Sequence, residues 1–242
     1  MAVLTGRVAL VTGGSRGIGR AIAISLADAA AAVAVNYVER AAEAKDVAET
    51  IRSGGGRAMA VGADVSQAAA VKGMVADVER ELGPIDVLIN NAGIGLVRTL
   101  DDLTEEDFDR TIAVNLKSAF LCTQAVVAGM RARKWGRIVN VSSGAARGAG
   151  GVGPHYNASK AGMEGMTRGY AARLVKDGIT VNAVAPSLIE TDMVSSVASS
   201  AARIPLGRFG TPQECAQVVM MLVGNEYMTG QTVALSGGLS FV

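Results

Sequence analysis

The sequence predicts an α/β fold built on a doubly wound parallel sheet, and three observations lead to this prediction. Apolar runs of strand length alternate along the chain with longer stretches whose apolar residues recur at helical spacing. The run Ile85–Asn90 is almost continuously apolar, which is typical of a parallel strand covered on both faces. The chain has 30 glycines but no repeat, so its glycines are expected at defined turns.

The order of the elements predicts a single-domain Rossmann sheet flanked by helices on both faces. The predicted strands are Arg7–Val11, Ala32–Asn36, Arg57–Val61, Ile85–Asn90, Arg137–Val141, Ile179–Val184 and Thr232–Leu235. The predicted helices are Gly17–Ala30, Arg40–Ser53, Ala68–Leu82, a region from Thr104 to about Arg131, Tyr156–Lys176 and Pro212–Val223. No linker divides residues 1–242, and the weakly patterned, Ser- and Ala-rich stretch at about 187–203 is expected to form a flap over a substrate.

Charge, cysteine and histidine content exclude several classes of protein. The 23 basic and 22 acidic residues nearly balance, so we expect no nucleic-acid partner and no membrane association. Cys122 and Cys215 lie far apart and form no CxxC motif, which favours reduced core thiols in a cytoplasmic protein. His155 is the single histidine, so no metal site is expected.

The segment Thr12–Gly19 has the features of a phosphate-binding turn. Gly13, Gly17 and Gly19 permit a tight turn and a close approach of the backbone to a ligand, and the helix that follows directs its amino terminus at an anion. The segment lies directly between a predicted strand and a predicted helix, which is the context that such a motif requires. A merely flexible loop is the alternative interpretation.

The spacing Thr-Gly-x-x-x-Arg-Gly-Ile-Gly in this segment resembles the cofactor loop of the short-chain dehydrogenase/reductase family. Other features that resemble the family follow in the same order, namely Asn90-Asn91-Ala92-Gly93, Asn115, Ser143 and the pair Tyr156 and Lys160. The resemblance implies an NAD(P)-dependent oxidoreductase, commonly a homotetramer. It assigns cofactor contacts to Gly13, Ser15, Arg16, Gly17, Ile18, Gly19, Asn36, Tyr37, Asp64, Val65, Asn91, Ala92, Gly93, Tyr156, Lys160, Ile189 and Thr191.

The choice between NADPH and NADH depends on the end of the second strand. A carboxylate there would bind the ribose diol and repel a 2′-phosphate, but the strand ends in Asn36-Tyr37. Arg16 carries a guanidinium that suits a phosphate, so NADPH is favoured, while the nearby Glu39 keeps NADH open. Asp64 flanks the adenine by analogy with the family, or else caps the helix that follows it.

The residues Tyr156 and Lys160 are expected to carry the chemistry. Their spacing places both on one face of a helix, where the ammonium would lower the pKa of the phenol so that it can protonate a substrate carbonyl. Ser143 would hold the same carbonyl as a second donor. By resemblance, Asn115 anchors a water that relays protons from Lys160; the alternative for Asn115 is a satisfied core amide or a helix kink.

The substrate is less sharply indicated. Resemblance is strongest to 3-oxoacyl-acyl-carrier-protein reductases of bacterial fatty acid synthesis, so the expected substrate is a 3-oxoacyl thioester of acyl-carrier protein or of CoA. Lys134, with its neighbours Arg131 and Arg133, matches a carrier-docking position of those enzymes, whereas Asp177 reverses the charge at a second one. The alternatives are a reductase of another ketone or secondary alcohol, and a catalytically silent dinucleotide-binding module. Ser187 departs from the family's usual glycine, and because serine tolerates positive φ poorly, an altered start of the flap is expected.

Overall fold

The sheet has seven strands, all parallel, in a computed structural model that describes residues 4–195 and 201–241. The spatial order is β3-β2-β1-β4-β5-β6-β7, so the chain reverses its direction of winding between β1 and β4. The strands are β1 Val8–Val11, β2 Ala32–Tyr37, β3 Ala58–Gly62, β4 Ile85–Asn90, β5 Gly136–Val141, β6 Ile179–Pro186 and β7 Thr232–Leu235.

Helices cover both faces of this sheet, which confirms the predicted fold class. They are α1 Gly17–Asp28, α2 Ala41–Ser53, α3 Ala68–Glu81, α4 Glu105–Ile112, α5 Ser118–Arg133, α6 Pro154–Leu174, α7 Asp192–Ser195 and α8 Pro212–Gly224. One core packs α1, α2 and α8 on one face, and a second packs α3, α5 and α6 on the other. Successive residues of β1 alternate between the two cores, because side chains on a strand point to opposite faces.

Local signals account for several helix ends. The Thr104 hydroxyl accepts a hydrogen bond from the amide of Asp107, and the Asp107 carboxylate accepts one from the amide of Thr104, which together form a capping box. The Thr211 hydroxyl and the Glu214 carboxylate form a second capping box, with Pro212 in the first turn of α8. Most predicted ends are within two residues of the observed ones.

The region predicted as one helix from Thr104 is interrupted by a π-helical segment, Ala113–Lys117, between α4 and α5. Such segments are rare and have no signature in apolar periodicity, and they occur frequently at functional sites. The stretch Glu105–Arg133 is long and apolar enough to cross a membrane by length and composition alone. It packs on β4, α3 and α6, which bury 33% of its most apolar window.

The cysteines are free and buried, as predicted from their spacing. Burial raises the pKa of the Cys122 thiol to about 12, and burial is also the first cause that raises the pKa of Cys215 to about 12. Both thiols are therefore protonated and inert near neutral pH.

The predicted flap at about 187–203 is only partly covered. Residues 196–200 lie outside the described residues. On either side of them the chain forms the short helix α7 and a 3₁₀ turn at Ala201–Arg203.

Candidate active site

A cleft of about 1,080 Å³ opens at the carboxyl ends of the strands, over the point where the winding reverses. This is where open α/β sheets bind their ligands. The loops after β1, β4, β5 and β6 all contribute to its walls. The predicted site residues that line it are Gly13, Ser15, Arg16, Gly17, Ile18, Gly19, Tyr37, Asp64, Val65, Asn91, Ala92, Gly93, Ser143, Tyr156, Lys160, Ile189 and Thr191.

The glycine loop leaves room for the backbone to meet a ligand. Gly13 has a φ of +60° and Gly17 a φ of +51°, which are conformations that side chains with a Cβ rarely adopt. A Cβ on Gly19 would lie 2.3 Å from the carbonyl oxygen of Gly13, so α1 can pack against the turn only with glycine there. The amino terminus of α1 thus faces the cleft and suits a diphosphate.

The residues that follow β4 hold this loop in place. The Thr12 hydroxyl accepts hydrogen bonds from the amides of Asn91 and Ala92, both at 3.0 Å. The Asn91 amide group donates at 2.9 Å to the carbonyl oxygens of Thr12 and Gly13. Asn91 therefore both lines the cleft and braces its floor.

Asn36, predicted to contact the cofactor, does not line the cleft. Its side chain is buried, donates to the carbonyls of Val61 and Ala63 at 3.3 and 3.0 Å, and accepts from the Gly13 amide at 3.3 Å. Because these bonds use both polar atoms of the amide, Asn36 joins β2, β3 and the glycine loop from below. The side chain therefore braces the loop, and a contact between Asn36 and the cofactor stays a prediction.

At the nucleotide end of the cleft, two arginine side chains are each paired with a carboxylate. Arg16 forms an ion pair with Asp192 across the mouth of the cleft. Arg40, which sequence reasoning missed, also lines the cleft, and Glu43 pairs with its guanidinium at 3.2 Å. A basic side chain just beyond the second strand was the signal that could have identified it. The Asp64 carboxylate accepts from the amide and hydroxyl of Ser66 at 2.9 and 2.7 Å, so it also caps the turn before α3.

At the other end of the cleft, α6 presents Tyr156 and Lys160 on one face. The Ser143 hydroxyl, which follows β5, lies close enough to the Tyr156 hydroxyl to affect the pKa of the phenol. Ser143 Oγ also accepts from the amide of Ala145 at 3.2 Å. Lys160 Nζ donates to the carbonyl oxygen of Val141 at 2.8 Å and lies 5.8 Å from the centre of the Tyr156 ring.

Burial controls the acidity of both groups. It raises the pKa of Tyr156 above its ordinary value, while the hydrogen bond from Ser143 acts in the opposite direction. Burial also lowers the pKa of Lys160 to about 8. In the protein without cofactor, desolvation of the phenolate outweighs the effect of Ser143, and the lowering of the phenol pKa by Lys160 together with oxidised nicotinamide stays a prediction.

Asn115 lies in the π-helical segment and does not line the cleft. Its Oδ1 accepts from the amide of Ile94 at 2.8 Å, and its Nδ2 donates to the Ile94 carbonyl at 3.0 Å and to Ser159 Oγ at 3.2 Å. A Cβ on Gly93 would lie 3.3 Å from Asn115 Oδ1 and 3.5 Å from Lys160 Nζ. The side chain is therefore a satisfied core amide close to Lys160, and the water relay stays a prediction.

The residues that line the rest of the cleft include the apolar Ile94, Ala145 and Val152 and the charged Asp109 and Arg110. His155 is fully buried, and its Nε2 is 2.9 Å from the carbonyl oxygen of Leu96. It therefore neither lines the cleft nor faces water. Ser187 does not have a positive φ, so the strain expected from replacing the glycine is absent.

Residues 7–202 match the sequence profile of the short chain dehydrogenase family. The chain belongs to this family. It is therefore an NAD(P)-dependent short-chain oxidoreductase acting on a CH–OH or C=O group. The alternative of a catalytically silent module is set aside.

Curated relatives of this short-chain oxidoreductase cover almost its whole length. A 3-oxoacyl-[acyl-carrier-protein] reductase of Synechocystis is 41% identical over 244 residues, which is 99% of this chain and 99% of the relative. The subunit BbsD of a (2S)-[(R)-hydroxy(phenyl)methyl]succinyl-CoA dehydrogenase of Thauera aromatica is 41% identical, covering 97% of this chain and 96% of the relative. A 3-oxoacyl-[acyl-carrier-protein] reductase of Staphylococcus aureus is also 41% identical, covering 96% and 97%.

Solved structures give the same result for the fold. A blue fluorescent protein from a metagenomic library, solved in complex with NADPH, superposes with a TM-score of 0.92 at 39% identity and covers 99% of this chain and 100% of its own. A dehydrogenase/reductase of Sinorhizobium meliloti superposes with a TM-score of 0.91 at 37% identity, covering 98% and 96%.

Proposed function

We propose that this protein is an NADPH-dependent reductase that transfers a hydride to the 3-oxo group of an acyl thioester. The observation that carries the proposal is that Tyr156, Ser143 and Lys160 line the same cleft of about 1,080 Å³ as the glycine loop. NADPH supplies the hydride, and the glycine loop, Asn91 and Thr191 are the residues that would hold it.

The side chains around the carbonyl divide the remaining work. Ser143 and Tyr156 donate hydrogen bonds to the carbonyl oxygen, which develops negative charge as the hydride arrives. Tyr156 then gives up its proton to this oxygen, because a raised phenol pKa still lies far below that of an alcohol. Lys160, buried beneath the cleft, stabilises the resulting phenolate as an ammonium below about pH 8.

The preference for NADPH rests on two guanidiniums at the adenosine end. Arg16 and Arg40 line the cleft, and Asp64 lies after β3 rather than at the end of β2, where a carboxylate would repel a 2′-phosphate. Glu39, which also lines this end, is exposed to solvent. NADPH is therefore favoured and NADH is the weaker cofactor.

Replacing Asp192 by asparagine should tighten the binding of NADPH. Arg16 pairs with Asp192 and has to leave it to bind a 2′-phosphate. Both side chains are at least half exposed, so we expect only a twofold to fivefold lower Kd for NADPH, in line with exposed ion pairs worth up to about 1 kcal/mol. NADH, which lacks this phosphate, should bind unchanged in fluorescence titrations. An equal gain for both nucleotides would contradict the assignment, and Glu190→Gln, at another exposed carboxylate of the cleft, is the control.

The thioester substrate is supported by the relatives and by the walls of the cleft. The names of the relatives describe oxo- or hydroxyacyl groups on acyl-carrier protein or on CoA. Ile94, Ala145 and Val152 offer an apolar surface without charge beside the hydroxyl pair, which suits an extended acyl chain.

A substrate panel tests this proposal directly. Oxidation of NADPH, followed by absorbance, should give a kcat/KM for acetoacetyl-CoA at least tenfold higher than for cyclohexanone or 2-pentanone. Turnover of simple ketones without turnover of the thioester would replace the proposal by the second candidate, a reductase of another ketone.

Carrier-protein docking is disfavoured by the arrangement around Asp177. Its carboxylate binds Arg131 at 2.7 Å and Lys134 at 2.8 Å, and these contacts keep its pKa below the ordinary value. The Asp177 carboxylate thus offsets one of the two positive charges that were expected to attract an acidic carrier. We expect acetoacetyl-CoA to be reduced at least as efficiently as acetoacetyl-acyl-carrier protein at low ionic strength. A tenfold preference for the carrier-bound substrate would show that it docks despite Asp177.

A homotetramer located in the cytoplasm completes the proposal.

A further inference from the structure

We propose that Ser187 is a specificity-determining residue whose hydroxyl binds a second oxygen of the substrate, on the carbonyl next but one to the reacting carbon. This inference deepens the proposed function and rests on it. It would make the enzyme selective for 3-oxo esters and thioesters over ketones with a single oxygen.

The position of Ser187 follows from the sheet. Val141 of β5 pairs with Val184 of β6, so the chain just beyond β5 lies beside the chain just beyond β6. A Cβ built on Gly144 would lie 3.3 Å from Ser187 Oγ. Ser187 therefore faces the residue that follows Ser143, and it lines the same cleft.

The hydroxyl of Ser187 is available to a ligand. The residue is half-buried, and among the described residues its Oγ has no hydrogen-bond partner. Its amide donates a hydrogen bond to the carbonyl oxygen of Leu235 at 2.9 Å, which fixes the backbone of Ser187 at the end of the sheet. A hydroxyl can both donate and accept, whereas glycine at this position could offer neither through a side chain.

Two hydroxyl sites side by side favour a substrate with two oxygens. Ser143 and Tyr156 are committed to the carbonyl that is reduced, and Ser187 supplies a separate contact beside them. A 3-oxoacyl ester or thioester carries its second carbonyl two bonds from the first. A simple ketone has no group to pair with Ser187, so it gains nothing from this residue.

The test compares Ser187→Ala with Ser187→Thr, which keeps the hydroxyl. Kinetics are measured with ethyl acetoacetate and acetoacetyl-CoA, and with 2-pentanone as a ketone that lacks the second oxygen. For Ser187→Ala we expect kcat/KM to fall fivefold to tenfold for the acetoacetyl substrates, mainly through KM, and by less than twofold for 2-pentanone. Ser187→Thr should recover most of the loss, and the Kd for NADPH should not change.

Other outcomes overturn the proposal. For Ser187→Ala, an equal fall in kcat/KM on all substrates, no fall at all, or a weaker affinity for NADPH would each show that the hydroxyl does not bind the second oxygen of the substrate. If Ser187→Ala unfolds early in a thermal melt, Ser187→Gly, which introduces no new atoms, has to show the same selective loss. If the wild type reduces ethyl acetoacetate but not acetoacetyl-CoA, the proposed thioester function is wrong, while the test of Ser187 can still be carried out with the ester. No turnover of either would remove both.

Discussion

Replacing Tyr156 by phenylalanine is expected to lower kcat with any carbonyl substrate by about 10²–10⁴-fold, the usual range for loss of a general acid. The change removes the phenol hydroxyl that lies beside Ser143, and it leaves the ring in its buried position. Because the glycine loop and Asn91 are untouched, the Kd for NADPH should stay within about twofold. Steady-state kinetics and a fluorescence titration on the same preparation measure both quantities.

The matched control is Tyr170 of α6, which does not line the cleft and whose hydroxyl accepts a hydrogen bond from Gln124 of α5 at 2.7 Å. Tyr170→Phe removes a phenol from the same helix without touching the cleft, so kcat should remain close to that of the wild type. Retained turnover in Tyr156→Phe would show that another group protonates the product, and the assignment of Tyr156 would be wrong.

Replacing Lys160 by methionine is expected to abolish most turnover without destabilising the fold at neutral pH. A pKa of about 8 for a buried lysine means that keeping it charged at pH 7 costs about 3 kcal/mol relative to the unfolded chain. Methionine removes this cost and so stabilises the folded protein. The loss of the hydrogen bond from Lys160 to the Val141 carbonyl offsets about 1.5–3 kcal/mol of that gain. The midpoint of urea unfolding should therefore be equal to or higher than that of the wild type, while kcat falls at least 100-fold.

The same lysine has a defined effect on stability as pH changes. Between about pH 8 and 10.5 the folded protein has released the Lys160 proton and the unfolded chain still holds it, so wild-type stability gains as pH rises. From pH 7 to pH 9.5 this group contributes a gain of about 2 kcal/mol that Lys160→Met lacks. The difference between the two unfolding free energies should shift by that amount in favour of the wild type. A constant difference across the range would mean that the folded protein holds the Lys160 proton as firmly as the unfolded chain does, and that burial does not lower the pKa of this lysine.

The fold and most of the cleft could be predicted from local patterns. The alternation of apolar runs gave every strand, and the capping box at Thr104 placed the start of α4. The glycine loop was identifiable because close packing there tolerates no Cβ, which makes the glycine positions visible in the sequence itself. These features depend on residues near each other along the chain.

The features that were missed depend on the tertiary arrangement. The π-helical segment at Ala113–Lys117 has no periodicity of its own, and Asn115 is placed by its bonds to the distant Ile94. The raised pKa of Tyr156 comes from burial, which spacing along a helix cannot show. Arg16 looked free for a phosphate because its partner, Asp192, is far along the chain.

The most direct test of the central claim is a crystal structure of the protein with NADP⁺ and a 3-oxoacyl thioester analogue that cannot be reduced. We expect the nicotinamide to bind at the Tyr156 end of the cleft, with the 3-oxo oxygen of the analogue hydrogen bonded to both Ser143 and Tyr156. A nicotinamide bound elsewhere, or an analogue whose carbonyl contacts neither hydroxyl, would contradict it.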